Sequence, residues 1–396
     1  MSGPPPTAGA DPFGEPSGGP LGSLRVVEAG RFITAPYASM LLADLGARVV
    51  KVEAPEGDPF RVWDPGRLSP RFAAFNRNKR SLTLDLREPG ERLVLGRLLD
   101  RADVFVHNFR PAGAERLGLA PDRLREEHPD LVVCAISGAG TRGPLADQPM
   151  YDQIGQALSG LMSVLSGNGA SPPVGPALSD AITGLFSAMG ILAALLERER
   201  TGTVSAVDAS LVKATISFLG EPAGHFFATG EAPGPHTRPH QSQSFVFPCA
   251  DGKPVVVHLS TPTKFWLGLL GVLGAEHLDA DPRFADYGAR VRNYDALAAE
   301  LAPPFLAAPA STWLERLREA GVPSAPILTL EDVADDPGIA ALGAVTEIGL
   351  PDGGTMRAVD RGVDVGERPP LRPPPGLGEH SAEILAALGL DRDGTM

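Results

Sequence analysis

Between Leu24 and Ser137 the sequence alternates strand-like and helical segments, and this alternation restricts the chain to very few folds. Leu24-Arg25-Val26-Val27-Glu28 reads as a strand, Ala35 to Leu45 as a helix, and Gly46-Ala47-Arg48-Val49-Val50-Lys51-Val52-Glu53 as a Gly-led return to a second strand. Such a βαβ unit crosses over right-handed within a parallel sheet. A helix from Pro89 to Arg101, a strand from Ala102 to Val106, a helix from Asp122 to Glu127 and a strand from Leu131 to Ser137 continue the pattern. Strands this continuously apolar are covered on both faces. The expected fold class is α/β, with a Rossmann-like parallel sheet as the larger domain.

Past residue 225 the texture changes. Phe245 to Ala250 meets Val255 to Leu259 across Asp251-Gly252, a strong hairpin signal, and Pro248 keeps its strand at a sheet edge. Helices from Lys264 to Leu273, Asp295 to Leu301 and Thr312 to Ala320 follow, then the breaker Gly321-Val322-Pro323. The expected organisation is a disordered tail over 1–21, the first part of the large domain over 22–205, a linker helix over 206–224, and a smaller α+β domain over 225–328. A return to the large domain over 329–391 and a tail over 392–396 complete it. A length of 396 residues suits two such units.

Ser179-Asp180 leads into an almost wholly apolar segment, Ala181 to Leu196, which ends in Glu197-Arg198-Glu199-Arg200-Thr201-Gly202. A helix apolar all round belongs in a core, and at about sixteen residues it is short for a bilayer. Asp180 at its mouth reads as a helix N-cap, its carboxylate held by the first-turn amides. A carboxylate so held stays ionised, so capping and nucleophilic chemistry are compatible.

A net charge of −13 with no basic stripe argues against nucleic acid or an anionic membrane as partner. Cys134 and Cys249 lack metal-ligand spacing and read as reduced, structural thiols of a cytoplasmic protein. His236 and His240 are not patterned as metal ligands. Residues 138–143 spell G-x-G-x-x-G after a strand, but Pro144 and Pro149 interrupt the helix that a dinucleotide site needs, and the next regular segment, Tyr151 to Leu165, is itself helical. Those glycines read as a turn.

Many separated stretches together resemble the family III CoA-transferases, a group that includes α-methylacyl-CoA racemase as a relative. They run from Ala35-Pro36 and Val50-Lys51-Val52-Glu53 through Asn78-Lys79-Arg80-Ser81, Asn108-Phe109-Arg110-Pro111, Tyr151-Asp152 and Asp180 to Asp281-Pro282-Arg283-Phe284 and Leu377-Gly378-Glu379-His380. The resemblance covers about residues 22 to 391 and implies an interlocked homodimer.

The resemblance implies that Asp180 is a covalent nucleophile, with Tyr151 and Asp152 supporting it. It would attack an acyl-CoA thioester to give an acyl-aspartyl anhydride, then an aspartyl-CoA thioester, and a carboxylic acid acceptor would complete the exchange. Neither ATP nor a metal nor a permanently bound cofactor is required, because each step exchanges groups of similar energy; CoA enters as substrate. The implied CoA contacts are Leu84, Arg87, Asn108, Phe109, Arg110 and Arg116, where Arg suits phosphate and Phe suits adenine. Without the resemblance, Arg87 and Arg116 read as solvated helix charges and Phe109 as core.

The racemase branch usually carries His-Asp where this chain has Tyr151-Asp152, and Tyr is too weak an acid for two-base proton exchange. Transfer is therefore expected, with racemisation or isomerisation through Asp180 as a base the alternative. The loop from Thr237 to Ser244 lacks the glycine run seen in the formyl-CoA:oxalate CoA-transferases of the resembled family, so oxalate is not the expected acceptor.

Overall fold

The computed structural model describes residues 11–63, 69–167, 173, 175–350 and 353–390. In chain order come β1 (Arg25–Ala29), α1 (Thr34–Asp44), β2 (Arg48–Glu53), α2 (Pro70–Asn76), β3 (Lys79–Thr83), α3 (Pro89–Leu99), β4 (Val104–His107), α4 (Pro111–Leu117), α5 (Pro121–Glu127) and β5 (Val132–Ser137). Then follow α6 (Asp152–Leu158), α7 (Leu161–Ser166), α8 (Leu178–Thr201), β6 (Val207–Ser210), α9 (Leu211–Phe218), α10 (Gly220–Thr229) and α11 (Thr237–Ser242). The remainder is β7 (Ser244–Pro248), β8 (Pro254–His258), α12 (Thr263–Leu273), α13 (Tyr287–Arg292), α14 (Tyr294–Phe305), α15 (Ala310–Glu319), β9 (Ser324–Pro326), α16 (Leu330–Asp335), α17 (Pro337–Ala341), β10 (Val345–Gly349), β11 (Thr355–Val359) and α18 (Ser381–Ala387). The described residues of Met1–Met162, Pro173–Gly220 and Ala341–Met396 form one compact unit, and those of Ser163–Pro172 and Glu221–Ala340 another.

In the first unit six parallel strands lie in the order β3-β2-β1-β4-β5-β6, the doubly wound arrangement. Alternation along each strand sorts the core into two faces. Val27, Val50, Phe105 and Val133 join α3, α5 and α18 on one side, while Val26, Val49, Val106 and Ile136 join α1 and α8 on the other. In the second unit β7, β8 and β9 pair antiparallel in that order, over a core that includes Phe245, Trp266, Phe305 and Trp313. The strand carrying Pro248 is at the edge, as a residue without an N–H requires.

Several expectations need correction. Phe13 is only 2% exposed and joins the core, and the Arg48 guanidinium pairs with Asp11 at 2.7 Å, so residues 11–21 are packed rather than a tail. Residues 1–10 and 392–396 lie outside the described residues. The stretch expected as a linker helix, 206–224, opens with the edge strand β6. The helix expected over Tyr151 to Leu165 breaks into α6 and α7 at Ser159-Gly160, where Gly160 adopts a φ of 83°. The apolar helix α8 is buried on one face only: Leu185, Met189, Leu192 and Leu196 are 37–58% exposed. By length and composition α8 could cross a membrane, but its other face is spent on α1, α9, β5 and β6.

Across β1, β2 and β3 lies a buried ion network. Lys51 Nζ donates to Glu28 at 3.0 Å and pairs with Asp58 at 3.2 Å, and Lys79 Nζ reaches the second Glu28 oxygen at 3.0 Å. Beside it Glu53 accepts both arms of Arg61 at 2.8 Å and the Ser81 hydroxyl at 2.7 Å. Burial alone would raise the Glu28 pKa, yet the two lysines hold it below the ordinary carboxylate range; burial brings Lys79 down to about 8. Removing one member of such a set strands the others. Lys51→Met is expected to lose about 3–5 kcal/mol of stability, read as a lower midpoint in urea denaturation.

Candidate active site

The site is assembled where α6 crosses the start of α8. Asp180 is the third residue of α8, not its cap: the N-cap is Ala177, which makes no side-chain bond. The missing acceptor comes from another helix. Asp152, the first residue of α6, accepts the Asp180 amide at 3.2 Å on one carboxylate oxygen, and Gln156 at 2.7 Å and Gln153 at 3.2 Å on the other. It thereby satisfies an N–H that the helix leaves free. The capping expected of Asp180 is performed by Asp152.

The crossing is tight enough to demand glycine. A Cβ on Gly155 would lie 2.4 Å from the Ser179 hydroxyl and 3.1 Å from Leu211. Ser179 in turn hydrogen-bonds Thr215 at 2.7 Å, tying α8 to α9. On the opposite side a Cβ on Gly184 would lie 2.9 Å from the Tyr37 ring, so α1 also needs its close approach. These contacts fix the Asp180 backbone on three sides.

The electrostatic consequence reverses the expectation from sequence. Asp180 is partly buried, and burial together with the nearby Asp152 charge pushes its pKa from an ordinary 3.8 up to about 7. A carboxyl balanced near neutrality is both an available nucleophile and an available acid, and such shifts mark working sites.

Asp180 opens into a cavity of about 530 Å³ lined also by Phe32, Asn108, Arg110, Arg116 and Tyr151. A second cavity of about 500 Å³ holds Leu84, Arg87, Leu86 and Gly57, and the two share Arg31, Phe109 and Leu117. All nine residues singled out from sequence thus line these cavities or, like Asp152, stand directly behind them. Their individual situations differ. Tyr151 is 65% exposed with its ring edge-on to Phe32, 5.7 Å between centroids. Arg87 is already forked onto Asp85 at 2.7–3.1 Å. The Asn108 amide is spent on main chain and hydroxyl, accepting from Arg31 N at 3.0 Å and donating to Arg31 O at 2.8 Å and Thr34 Oγ1 at 3.0 Å.

Sequence reasoning passed over the β1–α1 turn, residues 30–33. It supplies Arg31, Phe32 and Ile33 to the Asp180 cavity. Its position was the available signal, because in a doubly wound sheet ligands sit outside the carboxyl ends of the strands where the strand order reverses. That point is between β1 and β4 here. The glycines of 138–143 follow β5 without opening a helix, the next being α6. Among the described residues no group of three or more His, Cys, Asp or Glu is arranged to hold a metal.

CoA-transferase family III matches residues 21–381. An acetyl-CoA:oxalate CoA-transferase of Acetobacter aceti is 38% identical over 82% of this chain and 84% of its own. A succinate–glutarate CoA-transferase of Agrobacterium fabrum is 32% identical over 93% and 96%. Among solved structures, a CAIB/BAIF family protein from Brucella suis superposes with a TM-score of 0.81 at 34% identity, covering 93% of this chain and 99% of that one.

The shifted Asp180 pKa carries a stability consequence. A carboxyl whose folded pKa lies above its unfolded one favours the fold fully below the unfolded pKa, and that contribution is lost as pH rises through the folded pKa. Asp180→Asn removes the loss. Its melting temperature is expected to exceed that of wild type at about pH 8, with the gap closing as pH falls towards about 4.

Proposed function

The chain belongs to CoA-transferase family III, and from that premise we propose that it moves CoA from an acyl-CoA thioester to a free carboxylic acid through covalent intermediates on Asp180. The carrying observation is the Asp180 carboxyl, tuned near neutrality at the end of an arginine-lined cavity. In its ionised form one oxygen attacks the thioester carbonyl, the C–S bond breaks, and an acyl-aspartyl anhydride and CoA thiolate result. The thiolate attacks the aspartyl carbonyl of the anhydride and expels the donor acid. An acceptor carboxylate then attacks the aspartyl-CoA thioester, and CoA returns to the acyl group of the new anhydride, freeing Asp180. Holding the partners at Asp180 supplies much of the acceleration.

The raised pKa is useful in this sequence. A less stabilised carboxylate is a stronger nucleophile, and Asp152 behind it maintains that state without occupying the cavity. The acceptor is proposed to be a dicarboxylic acid: both relatives are named for one, oxalate or glutarate. Oxalate belongs in the substrate panel, since the relative named for it is 38% identical.

Trapping during turnover tests the chemistry. Hydroxylamine or borohydride added with acyl-CoA is expected to modify Asp180, as seen by peptide mass spectrometry, and Asp180→Ala is expected to abolish exchange. Deuterium entering from solvent at the α-carbon without acyl exchange would instead establish the racemase reading.

The working form is proposed to be a homodimer in the cytoplasm. The exposed Leu185, Met189, Leu192 and Leu196 fall at helical spacing, a contiguous apolar stripe of the kind that a second copy covers. The free thiols Cys134 and Cys249 accord with a reducing compartment. Light scattering is expected to give a dimer for wild type and a smaller species for Met189→Glu; a monomeric wild type sinks the dimer reading.

A further inference from the structure

The wall shared by the two cavities consists of Arg31, Phe109 and Leu117, and of these only Arg31 is charged. The CoA contacts that the resemblance implies fall in both cavities, Leu84 and Arg87 in one and Arg110 and Arg116 beside Asp180 in the other, so a thioester that spans them crosses that wall. The part of CoA between nucleotide and pantetheine arm is a diphosphate. A guanidinium at the crossing forks onto phosphate oxygens better than any other side chain.

Arg31 is fixed in its main chain and free in its side chain. Asn108 holds both its N–H and its C=O, at 3.0 and 2.8 Å. The residues on either side are tied to the buried ion network: Gly30 N–H donates to Glu28 at 2.9 Å, Lys51 donates to Gly30 C=O at 3.0 Å, and Phe32 N–H donates to Asp58 at 3.2 Å. Phe32 adopts a φ of 63°, which a side chain rarely takes unless its surroundings enforce it. The Arg31 side chain itself is exposed and forms no ion pair among the described residues, whereas Arg87 is committed to Asp85. A rigid base with an uncommitted guanidinium loses little freedom on binding.

We propose that Arg31 is the residue that binds the CoA diphosphate, bridging the nucleotide cavity and the Asp180 cavity, an inference that rests on CoA thioesters being the substrate. The buried Glu28 and Lys51 are then positioning residues, holding the turn from which Arg31 projects, while Asp58 and Asn108 hold the same turn and also line the cavities.

Calorimetric titration of wild type and Arg31→Gln with CoA, dephospho-CoA and pantetheine tests this without turnover. Arg31→Gln is expected to bind CoA and dephospho-CoA, which both keep the diphosphate, roughly ten- to hundredfold more weakly, and pantetheine, which lacks it, within about twofold of wild type. Arg31→Lys, which keeps the charge and loses the fork, should recover part of the affinity. Unchanged CoA affinity in Arg31→Gln, or equal weakening of all three ligands, overturns the assignment. A wild type that binds CoA but performs no acyl exchange refutes the transferase reading while the Arg31 titration stands, and a wild type that binds no CoA refutes both.

Discussion

Glu28, buried at the end of β1, is the group on which the site region depends. Its two oxygens are shared between Lys51 on β2 and Lys79 on β3, so one carboxylate links three adjacent strands across the sheet. Through Lys51 the same set reaches Asp58, and through Asp58 and Gly30 it fixes the β1–α1 turn. Ion pairs removed from water are poor sources of net stability, because desolvation consumes most of the Coulomb gain. Their worth here is geometric: Glu28, Lys51 and Asp58 each also hold main chain of the β1–α1 turn at the cavity wall, and Lys79 holds the Pro36 C=O of α1.

The two carboxyl groups at α6 and α8 divide the labour that one was expected to perform. Asp152 caps, and the Asp180 carboxyl is left facing the cavity. Putting the cap on a separate helix means the Asp180 carboxyl gives up no oxygen to its own helix, and the cap's negative charge works against ionisation of its neighbour. The glycines at 155 and 184 permit this arrangement, since any side chain there would part α8 from the helices that define its position. The stability that Asp180 costs above neutral pH is thus a product of the same packing that raises its pKa.

How much of this was legible in the sequence differs from element to element for physical reasons. The four inner strands β1, β2, β4 and β5 were plain, because strands covered on both faces must be apolar. The two edges were not. Lys79-Arg80-Ser81-Leu82-Thr83 buries its polar side chains against Glu28 and Glu53, partners supplied by other strands, and β6 is too short to show a period. Asp180 stood out through the apolar run behind it, but whether it capped that run depended on Asp152, twenty-eight residues away. Arg31 gave no local signal because it lies between two cavities whose walls are drawn from the carboxyl ends of β1, β2, β3, β4 and β5. The apolar character of α8 was read as burial in a core, and within this chain only one face of the helix is buried.

The outer edge of β3 is closed by residues 372–380. Arg61 bonds Pro375 C=O, Asn78 pairs with Arg372, and Ser81 receives Gly378 N–H while its C=O accepts from His380, contacts separated by about three hundred residues. During synthesis, then, the strand that carries Lys79 and Ser81 keeps an open edge until residues 372–380 have emerged. An element made early is completed by a segment made about three hundred residues later, so deleting residues 372–380 would be felt at β3, and a chain that has not reached them is exposed to edge-to-edge association.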